Sequence, residues 1–267
     1  MIDIHCHILP GLDDGPATEE EALEMARIAA EDGITDIVCT PHHLPGLYST
    51  RPDAITAAVR ALQASLNACG IRLTLHPGME IHVSAADPEG LSQGKLLGLN
   101  GQGRAVLIEL PHQFIPQNVD TLFWSFLSRD IQPVLAHVER YPGLLTDPSP
   151  LEEWVHMGIM TQVTASSLLG RFGPDVEDFA WRLLASNLAH ILATDSHSPD
   201  FRRPHMSAAS SALEDRLGRD VALDLVLHRP RALIQGQAIH LPDPLPLSDP
   251  AAQPGFVHRI LGWIGKH

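Results

Sequence analysis

Cysteine is scarce in this 267-residue chain: Cys6, Cys39 and Cys69 are too few and too scattered for a disulfide framework, and no Cys-x-x-Cys occurs. Thiolate chemistry on a phosphoryl group would place an arginine six positions after a cysteine, but those positions hold Leu12, Pro45 and Leu75. The thiols read as reduced and idle. Basic residues are also few, 18 Lys and Arg against 32 Asp and Glu, giving a formal charge of −14 with no Lys/Arg cluster. That balance repels polyanions and excludes nucleic acid as the expected partner. No apolar run reaches membrane-spanning length, and no basic segment followed by an apolar stretch precedes Asp3, so the expected location is cytoplasmic. What remains is a globular composition, 44% hydrophobic with mean hydropathy near zero.

Short apolar runs alternate with longer amphipathic ones, as in β-α units around a parallel sheet. Strands are expected near 2–5, 35–39, 72–76, 105–109, 132–136, 159–163 and 190–194. Helices are expected near 18–32, 53–69, 118–129, 149–157, 175–188, 206–217 and 219–228. Thr18 with Glu21 makes a capping box for the first helix, and Gly33 can stop it. Seven strands permit an open doubly wound sheet. Chemistry-bearing residues after nearly every strand favour an α/β fold of the (β/α)7 barrel type. It is expected over 1–240, followed by a proline-rich linker at 241–254 and an amphipathic segment at 255–267.

Sixteen histidines are the chain's abundance. Asp3, His5 and His7 alternate on the first strand and so share one face. Asp13-Asp14-Gly15 follows in the next loop, then Thr40-Pro41-His42-His43, Gly78-Met79-Glu80 and Glu109, each at a strand end. His137 lies in Ala136-His137-Val138-Glu139-Arg140, and Asp195 and His197 lie in Ala193-Thr194-Asp195-Ser196-His197. Burying so many ionisable groups without a counterion is implausible, so the set points to metal. Imidazole and carboxylate without thiolate suit manganese, iron or zinc, and the number of ligands exceeds what two ions need.

With these motifs in order, the chain closely resembles the PHP superfamily of metal-dependent phosphatases over roughly residues 1–240. Within it, the branch of bacterial protein-tyrosine phosphatases tied to capsule and exopolysaccharide synthesis matches best. The resemblance implies a distorted (β/α)7 TIM-like barrel holding three ions. His5, His7, Glu80 and Asp195 would bind the first, Glu80, Glu109 and His137 the second, and Asp14, His42 and His197 the third. The Asp-Asp-Gly loop is the mark of the tyrosine-phosphatase branch. Arg140 and Arg202 match the family's phosphate-gripping arginines, although Arg203 competes with Arg202 because Phe201-Arg202-Arg203-Pro204 departs from the branch's glycine-containing segment.

The expected reaction is hydrolysis of phosphotyrosine by a metal-bridging hydroxide, on a protein that the resemblance suggests is a membrane tyrosine kinase of polysaccharide assembly. A metal-bound water, His43 or His197 could protonate the leaving phenolate. The alternatives are a small-molecule phosphatase of the histidinol-phosphate type, a phosphodiesterase, or a non-catalytic metal-binding scaffold. Glu139 reads as a supporting group, and the remaining histidines as surface or core residues. In the C-terminal segment Phe256, Val257, Ile260, Leu261, Trp263 and Ile264 make an apolar stripe, which would face the barrel, a second subunit in a homo-oligomer, or, weakly, a membrane surface.

Overall fold

Ten short strands carry the architecture of the computed structural model, which describes residues 1–101 and 103–247. They are β1 (Ile2–Cys6), β2 (Asp36–Cys39), β3 (His42–Leu44), β4 (Tyr48–Ser49), β5 (Thr74–Pro77), β6 (Glu80–His82), β7 (Ala105–Glu109), β8 (Gln132–Leu135), β9 (Met160–Thr164) and β10 (Ile191–Ala193). One sheet has the order β1-β2-β5 and the other β10-β9-β8-β7-β6-β3-β4. All these pairs are parallel except the β3–β4 hairpin.

The two sheets are halves of one ring. β3 continues β2 after Thr40-Pro41, and β6 continues β5 after Gly78-Met79. Pro41 has no N–H to donate, so the ladder must break there. Gly78 lets the matching break lie close, since a Cβ at this position would stand 2.6 Å from Val38 Cγ1. The seam on the other side is sewn by main-chain bonds: Asp195 N–H donates to His5 O and His7 N–H to Ser196 O, each at 2.8 Å. Counting β2/β3 and β5/β6 as one strand each gives seven positions, the (β/α)7 barrel expected from the sequence. The two interruptions and the hairpin were not anticipated.

Helices Glu19–Glu31, Pro52–Ala68, Val119–Leu127, Ser149–Met157, Pro174–Ala185 and Ser207–Leu217 match the amphipathic segments. Thr18 Oγ1 accepts from Glu21 N–H as the capping box predicts, but Glu21 returns its bond to Ala17 N–H. The expected helix at 219–228 divides into Arg219–Leu223 and a π-helical turn, Asp224–His228, and a further helix, Arg229–Gln235, follows. Pro230 lies just past the wide turn, consistent with a missing amide donor in a continuous helix. Between strands and helices lies a large apolar core that includes Met25, Ile55, Phe123, Trp154 and Phe179. A smaller cluster of Val38, Leu107, Val134, Met160 and Ala193 lies on the strand faces that lead to the ionisable residues.

Residues 241–247, the described start of the expected linker, are tied to the barrel. Leu245 N–H donates to Ser186 O, and Asn187 Nδ2 to Asp243 O. The rest of that tract and the apolar stripe at 255–267 lie outside the described residues.

His190 is a core histidine, fully buried at the start of β10, as the bland reading of its sequence expected. Thr161 N–H donates to its Nδ1 at 3.0 Å, so that nitrogen must stay unprotonated. Burial and then the nearby Arg229 charge lower its pKa to about 3. A depressed folded pKa contributes stability above the unfolded value near 6.5 and loses it as pH falls toward 3. Chemical denaturation of wild type should therefore show stability declining with a limiting slope of ~1.4 kcal/mol per pH unit below pH 6.5 from this residue. His190→Asn, whose Oδ1 can replace Nδ1 as acceptor, should flatten the curve by that component; an unchanged slope would show that His190 titrates normally.

Candidate metal centre

Alternation along the strands brings the ionisable residues to one end of the barrel, the carboxyl end where strand-terminal side chains converge. His5 and His7 come from the end of β1, His42 opens β3, Glu80 opens β6, and Glu109 closes β7. His137 follows β8, while Asp195 and His197 follow β10. Asp14 reaches in from the loop after β1. That loop can lie so close only because residue 15 is glycine: a Cβ there would stand 2.2 Å from His7 O. His137 and Asp195 have φ of 34° and 51°, a region that non-glycine residues rarely adopt. Both are among the converging residues, so two of the six non-glycine residues with positive φ among the described residues lie where side chains must be aimed.

All nine ligand-type residues expected from the sequence are brought together. Glu80 is the hub. Its Oε1 lies 3.2 Å from His5 Nε2 and 3.2 Å from His137 Nε2; its Oε2 lies 3.3 Å from His7 Nε2 and 2.9 Å from His42 Nδ1. Asp195 Oδ1 is 3.3 Å from His5 Nε2 and 3.5 Å from His7 Nε2. Glu109 approaches His137 at 3.5 Å and His42 at 3.6 Å. Asp14 Oδ1 stands 3.4 Å from His197 Nε2 and 3.5 Å from His42 Nε2. Three groups of donor atoms, each mutually within 4.8 Å, result: His5-His7-Glu80, His42-Glu80-Glu109, and His7-Asp14-His42-His197. They overlap at His7, His42 and Glu80.

Hydrogen bonds leave this cluster short of partners. Glu80 is 1% exposed, yet its Oε2, 2.9 Å from His42 Nδ1, makes no hydrogen bond of good geometry, and neither does the Nε2 of buried His197. The Nε2 atoms of His5 and His7 face each other at 3.1 Å. Burial alone would raise the Glu80 carboxyl pKa, but His5, His42 and His137 hold it well below the usual range. Burial works against protonation of His7, whose pKa is nevertheless raised well above the ordinary value by Asp13, Asp195 and Glu80. For His137, burial and Arg140 oppose protonation, but Glu109 and Glu80 raise its pKa to about 9. Together with Arg140 and Arg202, protons on imidazoles balance the buried carboxylates, and lone pairs and carboxylates that share protons in this way can share metal ions instead.

Groups behind the cluster fix which nitrogen faces it. Asp13 Oδ2 accepts from His7 Nδ1–H at 2.7 Å and from His42 N–H at 3.0 Å, leaving His7 Nε2 free toward Glu80. Gln162 Oε1 does the same for His5 Nδ1 at 3.0 Å and also takes His137 N–H at 3.1 Å. His197 Nδ1–H donates to Asp195 O at 3.1 Å. Such bonds select the tautomer and aim the ring. Glu139 is buried, and its Oε1 accepts from Thr164 N–H and Ser167 Oγ–H. Gln162 was missed; its one sequence signal is an amide side chain inside a buried, otherwise β-type run. Asp13 was read only as part of its loop motif.

Over the cluster opens a cavity of about 290 Å³, edged by Arg140 and Arg202. Both guanidinium groups donate to Asp195 Oδ2. Arg203 turns out of the site, its Nε bonded to Pro199 O, so Arg202 is the arginine at the cavity. Arg140 also lies over the Phe172 ring, 4.6 Å from its centroid. His43 is not among the residues lining the cavity; its Nδ1 meets Thr50 O at 3.2 Å. His112, read from sequence as a bland surface or core residue, does line it and stacks 5.8 Å from His137. Cys6 is buried in the large core, where burial raises its thiol pKa well above normal, in keeping with an idle thiol.

Comparison with known proteins gives one consistent result. The family described as "Capsular polysaccharide synthesis, CpsB/CapC" matches residues 1–235. The tyrosine-protein phosphatase YwqE of Bacillus subtilis is 36% identical over 247 residues, covering 92% of this chain and 96% of its own. The tyrosine-protein phosphatase CpsB of Streptococcus pneumoniae is 29% identical over 90% of this chain and all of its own. A solved structure from work on YwqE and CpsB, described there as "unique metal-dependent tyrosine phosphatases", superposes with a TM-score of 0.89 at 36% identity, over 93% of this chain and 100% of that one. A lactonase from Listeria monocytogenes shares only the fold, with a TM-score of 0.56 at 11% identity over 89% of this chain and 95% of that one. The chain belongs to the CpsB/CapC family of capsular polysaccharide synthesis.

Proposed function

We propose that this protein is a metal-dependent protein-tyrosine phosphatase. The observation that carries the reading is the buried carboxylate–imidazole cluster with Arg140 and Arg202 at the edge of the same cavity. The named activities of the Bacillus and Streptococcus relatives support tyrosine phosphate as the substrate.

As the family resemblance implies, His5, His7, Glu80 and Asp195 are assigned to a first ion, Glu80, Glu109 and His137 to a second, and Asp14, His42 and His197 to a third; the donor groups support this for all but Asp195 and His137, which stand 3.3 Å from His5 and 3.2 Å from Glu80, and His7 and His42 are near enough to serve neighbouring positions. Oxygen and nitrogen donors without sulfur suit manganese first, then iron or zinc. Bound there, such ions supply an acidified water as nucleophile and positive charge for the phosphoryl oxygens. Three divalent ions against the four carboxylates leave a surplus of roughly two charges, matched to a monoester dianion.

The protein's own residues do the rest. Arg140 and Arg202 offer planar forks to the outer phosphoryl oxygens, releasing Asp195 Oδ2 when substrate arrives. Asp13 and Gln162 keep His7 and His5 with their Nε2 lone pairs facing the cluster. The phenolate leaves readily, its conjugate acid having a pKa of ~10, so proton donation matters less than for an alcohol. Its proton can come from water at the cluster; His197 lines the cavity, but with Nε2 on the third ion and Nδ1–H on Asp195 O it has no proton to give, and His43, facing Thr50, would first have to turn. The protein substrate is assigned to a cytoplasmic phosphotyrosyl segment of a membrane tyrosine kinase in polysaccharide assembly, a reading that rests on the family's role.

Manganese-loaded enzyme offered a phosphotyrosyl peptide, histidinol phosphate and a phosphodiester should hydrolyse the peptide fastest. If the peptide is the poorest substrate the tyrosine reading fails, and phosphate release from none of them would mark a scaffold. Replacing His5 and His7 together with alanine should abolish turnover and deplete bound metal without unfolding the barrel, because the cores on both strand faces remain. Near-normal turnover in that variant would remove the metal assignment. Arg140→Ala should lower kcat/KM by roughly 100-fold while metal content holds, with Arg140→Lys recovering only part. Loss of metal with normal kinetics per bound ion would make Arg140 structural.

A further inference from the structure

Of the twelve residues lining the cavity, nine have carboxylate, imidazole or guanidinium side chains, and only Leu44, Leu47 and Tyr48 do not. All three come from one hairpin. β3 and β4 pair with Leu44 opposite Tyr48, and the turn between them closes with Leu47 N–H donating to Leu44 O at 3.0 Å. Gly46, at φ +90°, supplies a backbone shape that L-residues rarely adopt. His43 secures the hairpin's exit through its bond to Thr50 O.

The hairpin is also part of the metal-type cluster. His42 at its base pairs with Glu80 across the β3–β6 register, and Tyr48 stacks on the His42 ring with centroids 5.6 Å apart and planes 14° apart. An apolar wall is therefore held at a fixed reach from the residues that would hold the ions. Leu47 is 66% exposed although it lines the cavity, so its side chain has surface left for a ligand to cover. Arg140 and Arg202 line the same cavity. A cavity lined by two guanidinium groups and by one apolar hairpin fits a ligand with an anionic end and a flat apolar body; inorganic phosphate or a short alkyl phosphate would leave the hairpin's apolar surface unused.

We propose that Leu44, Leu47 and Tyr48 form an aryl subsite that covers the phenyl ring of phosphotyrosine and sets the preference for aryl over alkyl phosphate esters. This rests on the phosphatase reading and adds to it the residues that choose the leaving group. Leu47 and Tyr48 are binding residues here; they take no part in proton or phosphoryl transfer.

Competitive inhibition of the manganese-loaded enzyme by phenylphosphonate and by methylphosphonate reads the subsite without relying on turnover of poor substrates. Wild type should bind the phenyl compound about tenfold more tightly than the methyl one, ~1.4 kcal/mol. Leu47→Ala and Tyr48→Ala should each shrink that ratio, and the double variant should bring it within about twofold of unity, with metal content unchanged. On phosphotyrosyl peptide the loss should appear mainly as a raised KM. Leu169→Ala, at an exposed leucine that does not line the cavity, should keep the wild-type ratio. Leu47→Ala alters a largely exposed side chain, so it tests the idea even if Tyr48→Ala fails to fold. A wild-type ratio near one, or a ratio unchanged in Leu47→Ala and the double variant, overturns the subsite. Phosphate release from phosphotyrosyl peptide by the same wild-type preparation is scored separately: its absence counts against the phosphatase reading, not against aryl selectivity.

Discussion

A carboxylate cut off from water sits at the centre of this molecule. Glu80 directs two oxygens at four imidazoles, and its Oε2 makes no hydrogen bond of good geometry. Isolating such a charge would cost several kcal/mol, so the fold must deliver compensating positive charge to the same point. The raised pKa values of His7, His42 and His137 express the same demand, because burial opposes each rise and the surrounding carboxylates overcome it. Metal ions answer the demand without requiring that imidazoles stay protonated.

Much of the local architecture serves that point. The break at Pro41 and its counterpart at Gly78 start new strand segments at His42 and Glu80, which then pair with each other. The seam between β1 and the segment after β10 is made by main-chain atoms of His5, His7, Asp195 and Ser196, so barrel closure and site assembly are one event. Positive φ at His137 and Asp195 places strain at two of the aimed residues. Tyr141, whose hydroxyl accepts Leu110 N–H, lies beside His137 with ring centroids 5.3 Å apart, packing the ring from the side.

The barrel was legible because each of its seven strand positions is a short apolar run bounded by turn residues, and the longer helices have an amphipathic face, whereas the five-residue helices Pro88–Ser92 and Pro142–Thr146 are too short to show a period. The ligand-type residues were legible for a related reason: all but Asp14, which lies in the loop after the first, stand at or just past the end of a strand read from the sequence, so a one-dimensional pattern already implied a shared rim. The hairpin escaped notice because a three-residue strand reading His-His-Leu and a two-residue partner carry no periodicity. Arg202 could not be separated from Arg203 while both sat in one short loop; the bond of Arg203 to Pro199 O decides which of them is at the cavity. Gln162 and His112 were hidden for another reason. Their places in the site depend on neighbours 157 and 25 residues away, His5 and His137, and nothing local marks either one.

Diffraction data collected at the manganese absorption edge from crystals of the loaded protein would test the central claim most directly. Three anomalous peaks are expected within the cluster of His5, His7, Asp14, His42, Glu80, Glu109, His137, Asp195 and His197, two of them beside Glu80. A single peak, or peaks away from Glu80, would contradict that claim.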